Sequence, residues 1–177
     1  SKVLSRYTDH LLSIHDFESQ YFETNGLSVT YVGNPVFDTK NIFQKKDIAY
    51  KNLDISPSDK VLAICFGSRS SEINNLIEPF IETVLKLIAI WPNLRVISPV
   101  SGAVIKDIEL AKLNDKRLDS VTFVDEKFKE SVFNISTAAL ACSGTVTTQL
   151  ALAGVPTVVA YKLNPITFII AKILYKP

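Results

Sequence analysis

The chain has 177 residues, 47% of them hydrophobic and 21% charged, with a formal net charge of +1. That balance excludes a disordered tail and suffices for one sizeable core or for a domain with an appendage. Lys and Arg are scattered among Asp and Glu, which leaves no basic face for nucleic acid, and no apolar run reaches the roughly 18 residues of a membrane span.

The pattern predicts a short strand over His10–Ile14, a helix over Phe17–Thr24 and, after Gly26, a weakly alternating strand over Ser28–Val32. Gly33-Asn34-Pro35 and the polar stretch from Asp38 to Lys46 then break the periodicity, as an interdomain linker does. A short helix over Asp47–Leu53 leads to the turn Ser56-Pro57-Ser58-Asp59. From Lys60 onward strands and helices alternate. Strands are predicted at 60–66, 94–99, 120–124, 138–142 and 156–161, and helices at 71–90, 102–113, 126–133, 145–153 and 165–174. This is the pattern of a Rossmann-like α/β domain, a parallel sheet with helices on both faces. Pro79 is expected to kink the first long helix or move its start, because proline removes a donor and clashes one turn back. The apolar tail Ile166–Tyr175 is too short for a span and carries Lys172, so it reads as a core helix, with contact to a lipid surface as the competing reading.

Two strand-to-helix turns carry the candidate chemistry. At the first, the buried-strand run Lys60–Phe66 ends in Gly67-Ser68-Arg69 before the amphipathic helix. Open α/β sheets bind ligands at this carboxyl edge, and a guanidinium at Arg69 is suited to neutralising a diphosphate leaving group. Glu72, in the first helical turn, is read as compensating the helix dipole rather than as an acid. At the second, Ser143-Gly144-Thr145 opens a helix whose first N–H groups and dipole suit an anion. Gly144 lets a backbone come close, and Thr145 and Gln149, one turn apart, share a face that can meet a ligand. Together the turns suggest a nucleotide-sugar site. The backbone from Val124 to Phe128 lies at another strand's carboxyl edge and is expected to line a pocket for the base, with Asp125 and Glu126 as caps.

Other chemistries find little here. His10 and His15 are the only histidines and lie far in sequence from both turns. Cys65 and Cys142 stand in apolar runs without CxxC spacing, as buried free thiols of a reducing, cytoplasmic compartment, and no metal site is expected. Neither glycine turn has the G-x-G-x-x-G spacing of a dinucleotide oxidoreductase. The chain contains no methionine and opens on Ser1-Lys2-Val3 without a signal-peptide pattern, which reads as part of a longer protein.

Four segments in order, Tyr31-Val32-Gly33-Asn34-Pro35-Val36-Phe37-Asp38, Gly67-Ser68-Arg69-Ser70-Ser71-Glu72, Ser143-Gly144-Thr145-Val146-Thr147 and Gly154-Val155-Pro156-Thr157-Val158-Val159-Ala160-Tyr161-Lys162, resemble bacterial lipid-A-disaccharide synthase. The likeness extends to Phe17-Glu18 and to Pro165-Ile166-Thr167-Phe168. It implies an inverting glycosyltransferase of the two-Rossmann-domain GT-B type that moves a 2,3-diacylglucosamine from UDP to 2,3-diacylglucosamine 1-phosphate and releases UDP. By the same resemblance, residues 1–32 end an amino-terminal acceptor domain, 33–59 form a linker and entry helix, and 60–177 form an incomplete UDP-sugar-binding domain. Gly67, Ser68, Arg69, Val124, Ser143, Gly144, Thr145 and Gln149 would bind UDP, with Arg69 acting in catalysis. No metal or other cofactor is implied. The general base and acceptor loops would lie before Ser1, so these residues alone are expected to bind UDP weakly without turnover. The resemblance leaves room for a homodimer of the full-length protein and for a peripheral contact on the cytoplasmic face of the inner membrane.

The sequence departs from the family pattern at four places. Gln149 stands where glutamate is usual, Asn34 where histidine is usual, Phe66 where proline usually precedes the glycine, and His15-Asp16 where Leu-Pro is usual. Gln149 can still hydrogen-bond a ribose hydroxyl, though only as a neutral group. A UDP-N-acetylglucosamine 2-epimerase, another GT-B enzyme, and a non-catalytic Rossmann-like remnant are the competing readings.

Overall fold

The computed structural model describes residues 2–38, 46–163, 168, 172 and 173. The expected helix over 165–174, the resembling segment from Pro165 to Phe168 and most of the expected linker from Asp38 to Lys46 therefore lie outside the described residues, in whole or in part. The chain divides into two compact units, Ser1–Lys40 and Asn41–Pro177.

In the first unit, β1 (His10–Ser13) pairs in parallel with β2 (Ser28–Tyr31), His10 opposite Ser28, and α1 (Ser19–Glu23) lies in the crossover. The buried Ser13 Oγ donates to His15 O at 2.7 Å and to Glu18 Oε2 at 3.0 Å, which ties the strand end to the turn that starts the helix. Both histidines have local partners: His10 Nε2 lies 2.9 Å from Thr30 Oγ1, and His15 stacks on Phe17. Asn34 Oδ1 accepts from Val36 N at 3.0 Å and so shapes the 3-10 turn Pro35–Asp38.

The second unit is built on a five-stranded parallel sheet of β3 (Lys60–Cys65), β4 (Leu94–Val100), β5 (Thr122–Asp125), β6 (Ala138–Cys142) and β7 (Thr157–Ala160) in the order β5-β4-β3-β6-β7. Strand alternation divides the core in two. Leu62 and Ile64 of β3 face a cluster with Ile73, Leu76, Phe80 and Val84 of α3 (Ser70–Ile90) and Ile108 of α4 (Ile105–Asn114). Val61, Ala63 and Cys65 face the other side, with Ala49 of α2 (Lys46–Leu53), Val132 and Phe133 of α5 (Lys129–Ile135) and Leu150 of α6 (Thr145–Leu152). Residues of β3 are buried on both faces, which is why that strand reads as an unbroken apolar run.

The chain grows from β3 outward through β4 to β5, then returns to lay β6 on the other flank of β3. The helices that follow β3 and β6 therefore pack on opposite faces, and a crevice opens between the carboxyl ends of those two strands, the topological switch point of such sheets. The β3–β4 register runs only from Lys60–Leu94 to Ala63–Ile97, so the end of β4 continues past it beside β5. Pro99 stands in that outer stretch, where a strand tolerates a missing donor.

α3 begins at Ser70 and continues through Pro79 to Ile90, so of the two effects expected of the proline a displaced start is not found. The helix buries a long apolar stripe including Phe80 and Ile81 immediately after the proline, and that burial outweighs one lost backbone bond.

Candidate nucleotide site

Fifteen described residues line a cleft of about 330 Å³ at the switch point. It brings together Gly67, Ser68 and Arg69 from the turn after β3 with Ser143, Gly144, Thr145 and Gln149 from the turn and helix after β6. Seven of the eight residues expected at a UDP site thus meet in one place. Val124 does not line the cleft and packs instead against the core cluster on the α5–α6 face. A larger hollow of about 420 Å³ lies at the amino-terminal edge of the strands, lined by Asp59, Arg95 and Ser120 among others, and contains neither glycine turn.

The first turn is organised around a carboxylate. Glu72 is 8% exposed, and its Oε2 accepts from Ser68 N at 2.9 Å and Arg69 N at 3.3 Å. Its Oε1 accepts from Arg69 Nη1 at 2.9 Å. This is the reciprocal half of a capping box, in which the third helical residue reaches back to the N-cap backbone. The sequence expectation of dipole compensation describes Glu72 correctly but misses its second use, as the partner of Arg69. The Arg69 side chain is 76% exposed, tethered by a contact that water screens. Gly67 has φ +123°, and a Cβ there would fall on Glu72, so glycine is required by the carboxylate folded beneath the turn.

The second turn has a different reason for its glycine. Gly144 is the N-cap of α6, has an extended φ of 161°, and a Cβ built on it would meet no atom within 4 Å. No side chain caps the helix at Gly144, and Thr147 instead bonds back to Gly144 O from both its N and its Oγ1. The fold does not require glycine at 144, and what its absent side chain leaves open is the cleft.

Residues that sequence reasoning did not place here are Pro99, Ser101, Lys129 and the two thiols Cys65 and Cys142; Glu126, expected as a cap within the pocket-lining stretch from Val124 to Phe128, lines the cleft. Pro99 lies near the carboxyl end of β4 and Ser101 just beyond it, and the signal that was available for them is that position at a carboxyl edge. Asp125, the other expected cap, accepts from Lys127 N at 2.8 Å and does cap its turn. Burial raises both thiols, Cys65 to about 12, which keeps them neutral beside the charged residues of the cleft. Both are free and buried. Among the described residues there is no group of three His, Cys, Asp or Glu side chains arranged for a metal ion, and no helix is long and apolar enough to cross a membrane.

Comparison with known proteins follows the same lines. The sequence model of the family described as lipid-A-disaccharide synthetase matches residues 1–177. The chain is 35% identical over 167 residues to the lipid-A-disaccharide synthase of Rhodospirillum centenum, covering 94% of this chain and 41% of the relative. It is 30% identical over 175 residues to that of Trichlorobacter lovleyi, covering 99% and 45%. The chain thus spans less than half the length of these relatives. Among solved structures, the S. aureus MnaA-UDP co-structure superposes with a TM-score of 0.63 at 16% identity, covering 91% of this chain and 46% of that one. Methanocaldococcus jannaschii UDP-GlcNAc 2-epimerase in complex with UDP-GlcNAc and UDP gives 0.62 at 16% identity, covering 91% and 48%. At that identity the likeness establishes the fold, a Rossmann-like α/β unit with helices on both faces of a parallel sheet.

Proposed function

This chain belongs to the lipid-A-disaccharide synthetase family, and from that premise we propose that its second unit binds the UDP portion of a UDP-linked diacylglucosamine. The whole protein, on this reading, is an inverting glycosyltransferase that transfers 2,3-diacylglucosamine to 2,3-diacylglucosamine 1-phosphate and releases UDP. The observation that carries the proposal is the convergence of two glycine turns, distant in sequence, on one cleft at the switch point of the sheet.

The roles follow from the chemistry of each group. Departure of UDP from the sugar leaves extra negative charge on the diphosphate, and a positive group placed there beforehand lowers the barrier. Arg69 supplies that charge: it is exposed at the cleft, and Glu72 retains two backbone N–H partners when the guanidinium turns to a phosphate. The amino end of α6 offers backbone donors and the positive end of its dipole, with Gly144 admitting a phosphate or ribose close to the main chain. Gln149, one turn along from Thr145 on the same wall, presents a donor and an acceptor to the ribose hydroxyls.

Calorimetric titration of the 177-residue chain with UDP, with UMP and NAD as comparators, tests the reading. Saturable UDP binding that Arg69→Ala reduces at least about tenfold is expected for a charge-assisted contact. No UDP binding by wild-type protein with an intact cooperative melt would defeat it.

A further inference from the structure

Among the described residues that line the cleft, the ionisable groups carrying charge at neutral pH are Arg69 and Lys129, which are cationic, and Glu72 and Glu126, which are anionic. Their formal charges cancel. Each cation has its own carboxylate: Arg69 Nη1 lies 2.9 Å from Glu72 Oε1, and Lys129 Nζ lies 3.4 Å from Glu126 Oε1. Beyond the backbone donors of α6, a ligand bearing two phosphates gains side-chain charge from this cleft only if at least one cation changes partner.

The two pairs are not equally able to do so. Glu72 is buried and fixed by backbone donors, so it stays in the floor whatever Arg69 does. Glu126 has the opposite character. Its side chain is 51% exposed, it sits in a short 3-10 turn, and the contact with Lys129 is long. Water can take over its solvation at little cost. Lys129 is the better anchored member of that pair, 27% exposed and at the first position of α5, whose Val132 and Phe133 are locked into the core.

Position completes the argument. α5 packs on the opposite face of the sheet from α3, so Lys129 and Arg69 approach the cleft from its two sides. Cys65 at the end of β3 and Cys142 at the end of β6 line the cleft between them. An anion over those strand ends is held between the two cations.

We propose that Lys129 is a second cation for the diphosphate, and that Glu126 is its exchangeable counter-ion, holding the ammonium in the empty cleft and releasing it when a diphosphate binds. The inference rests on the reading of the cleft as a UDP site. It makes Lys129 a binding residue and Glu126 a competitor of the ligand.

UDP and uridine titrations of the 177-residue chain and of the Lys129→Met, Lys129→Arg and Glu126→Gln variants test it, with Arg69→Ala alongside. Lys129→Met is expected to weaken UDP about tenfold while leaving uridine unchanged, and Lys129→Arg to restore most of the loss. Glu126→Gln is expected to tighten UDP by about twofold to fivefold, because the ligand no longer displaces a carboxylate. Loss of UDP affinity in Arg69→Ala with none in Lys129→Met would overturn this inference and leave the UDP site standing. Weakening by Glu126→Gln to the same degree as Lys129→Met would also overturn it, since the pair would then be a structural brace. A folded wild-type chain that binds no UDP would overturn the site and this inference together.

Discussion

A Cβ added to Gly67 would lie 2.5 Å from Glu72 Oε2 and 2.6 Å from Glu72 Cβ. The glycine and the carboxylate are a matched pair: one vacates the volume that the other needs to reach the backbone N–H groups of Ser68 and Arg69. The Arg69 turn is therefore as rigid as the packing of Glu72 beneath it.

Gly67→Ala is expected to destabilise the protein by at least about 2 kcal/mol, through both the positive φ and the collision. Glu72→Ala is not expected to rescue it, because the colliding Cβ of residue 72 remains. Urea unfolding of both single variants and the double variant checks this. Full recovery in the double variant would show that only the carboxylate, and not the backbone approach, demands glycine.

Gly144→Ala is expected to behave in the reverse way. Its φ is extended and its Cβ would enter open space, so stability should stay within about 0.5 kcal/mol of wild type. UDP affinity should fall, since the added methyl group occupies the approach to the main chain. A variant that melts early and binds normally would reverse the assignment of this glycine from ligand to fold.

Burial that pushes the Cys65 thiol up to about 12 has a consequence in alkali. In the unfolded chain the thiol ionises from about pH 8.5, while in the folded chain it stays protonated to about pH 12. The folded state then holds the extra proton, so this contribution to stability is whole below about pH 8.5 and declines as pH rises through that window, by at most about 1.4 kcal/mol per pH unit. Urea unfolding between pH 8 and pH 10.5 should show a steeper loss in wild type than in Cys65→Ala. Parallel curves would place the thiol in a more polar setting than its burial indicates.

Away from the cleft, Arg117 spans two carboxylates, donating from Nη1 and Nη2 to Glu78 at 3.0 and 2.7 Å and from Nε to Asp115 Oδ1 at 2.9 Å. These side-chain hydrogen bonds hold both carboxyls below their usual range. The stabilisation they bring is present above the ordinary carboxylate pKa of about 4 and is lost as pH falls through the lowered folded values. In Arg117→Met, NMR titration should find both carboxyls moved up, with the difference from wild type shrinking in high salt.

The sequence made the sheet legible because β3 and its neighbours bury both faces and read as apolar runs, with glycine marking the turn after β3. Arg69 and the Ser143–Thr145 turn were legible for a related reason: a strand end before a helix is a short-range pattern. Lys129 was not. Its role depends on which strands become neighbours and on which face α5 covers, and local periodicity does not encode strand order. Pro79 shows the same limit, since the penalty of a proline is local while the burial that carries the helix through it is tertiary. Val124 was expected to offer its backbone at the carboxyl end of its strand, and its side chain packs with the core.

The strand order also sets when a binding site can exist. The two glycine turns of the cleft stand on β3 and β6, and β4, β5 and the helices between are laid down before β6 arrives. A chain emerging from its amino end completes the Arg69 turn early, yet β3 keeps one hydrogen-bonding edge open until β6 pairs with it. Such distant parallel pairing is slow to form. On the proposed reading, affinity for the nucleotide appears only once β6 has paired with β3, and a ligand that binds only the paired strands draws the chain across that step.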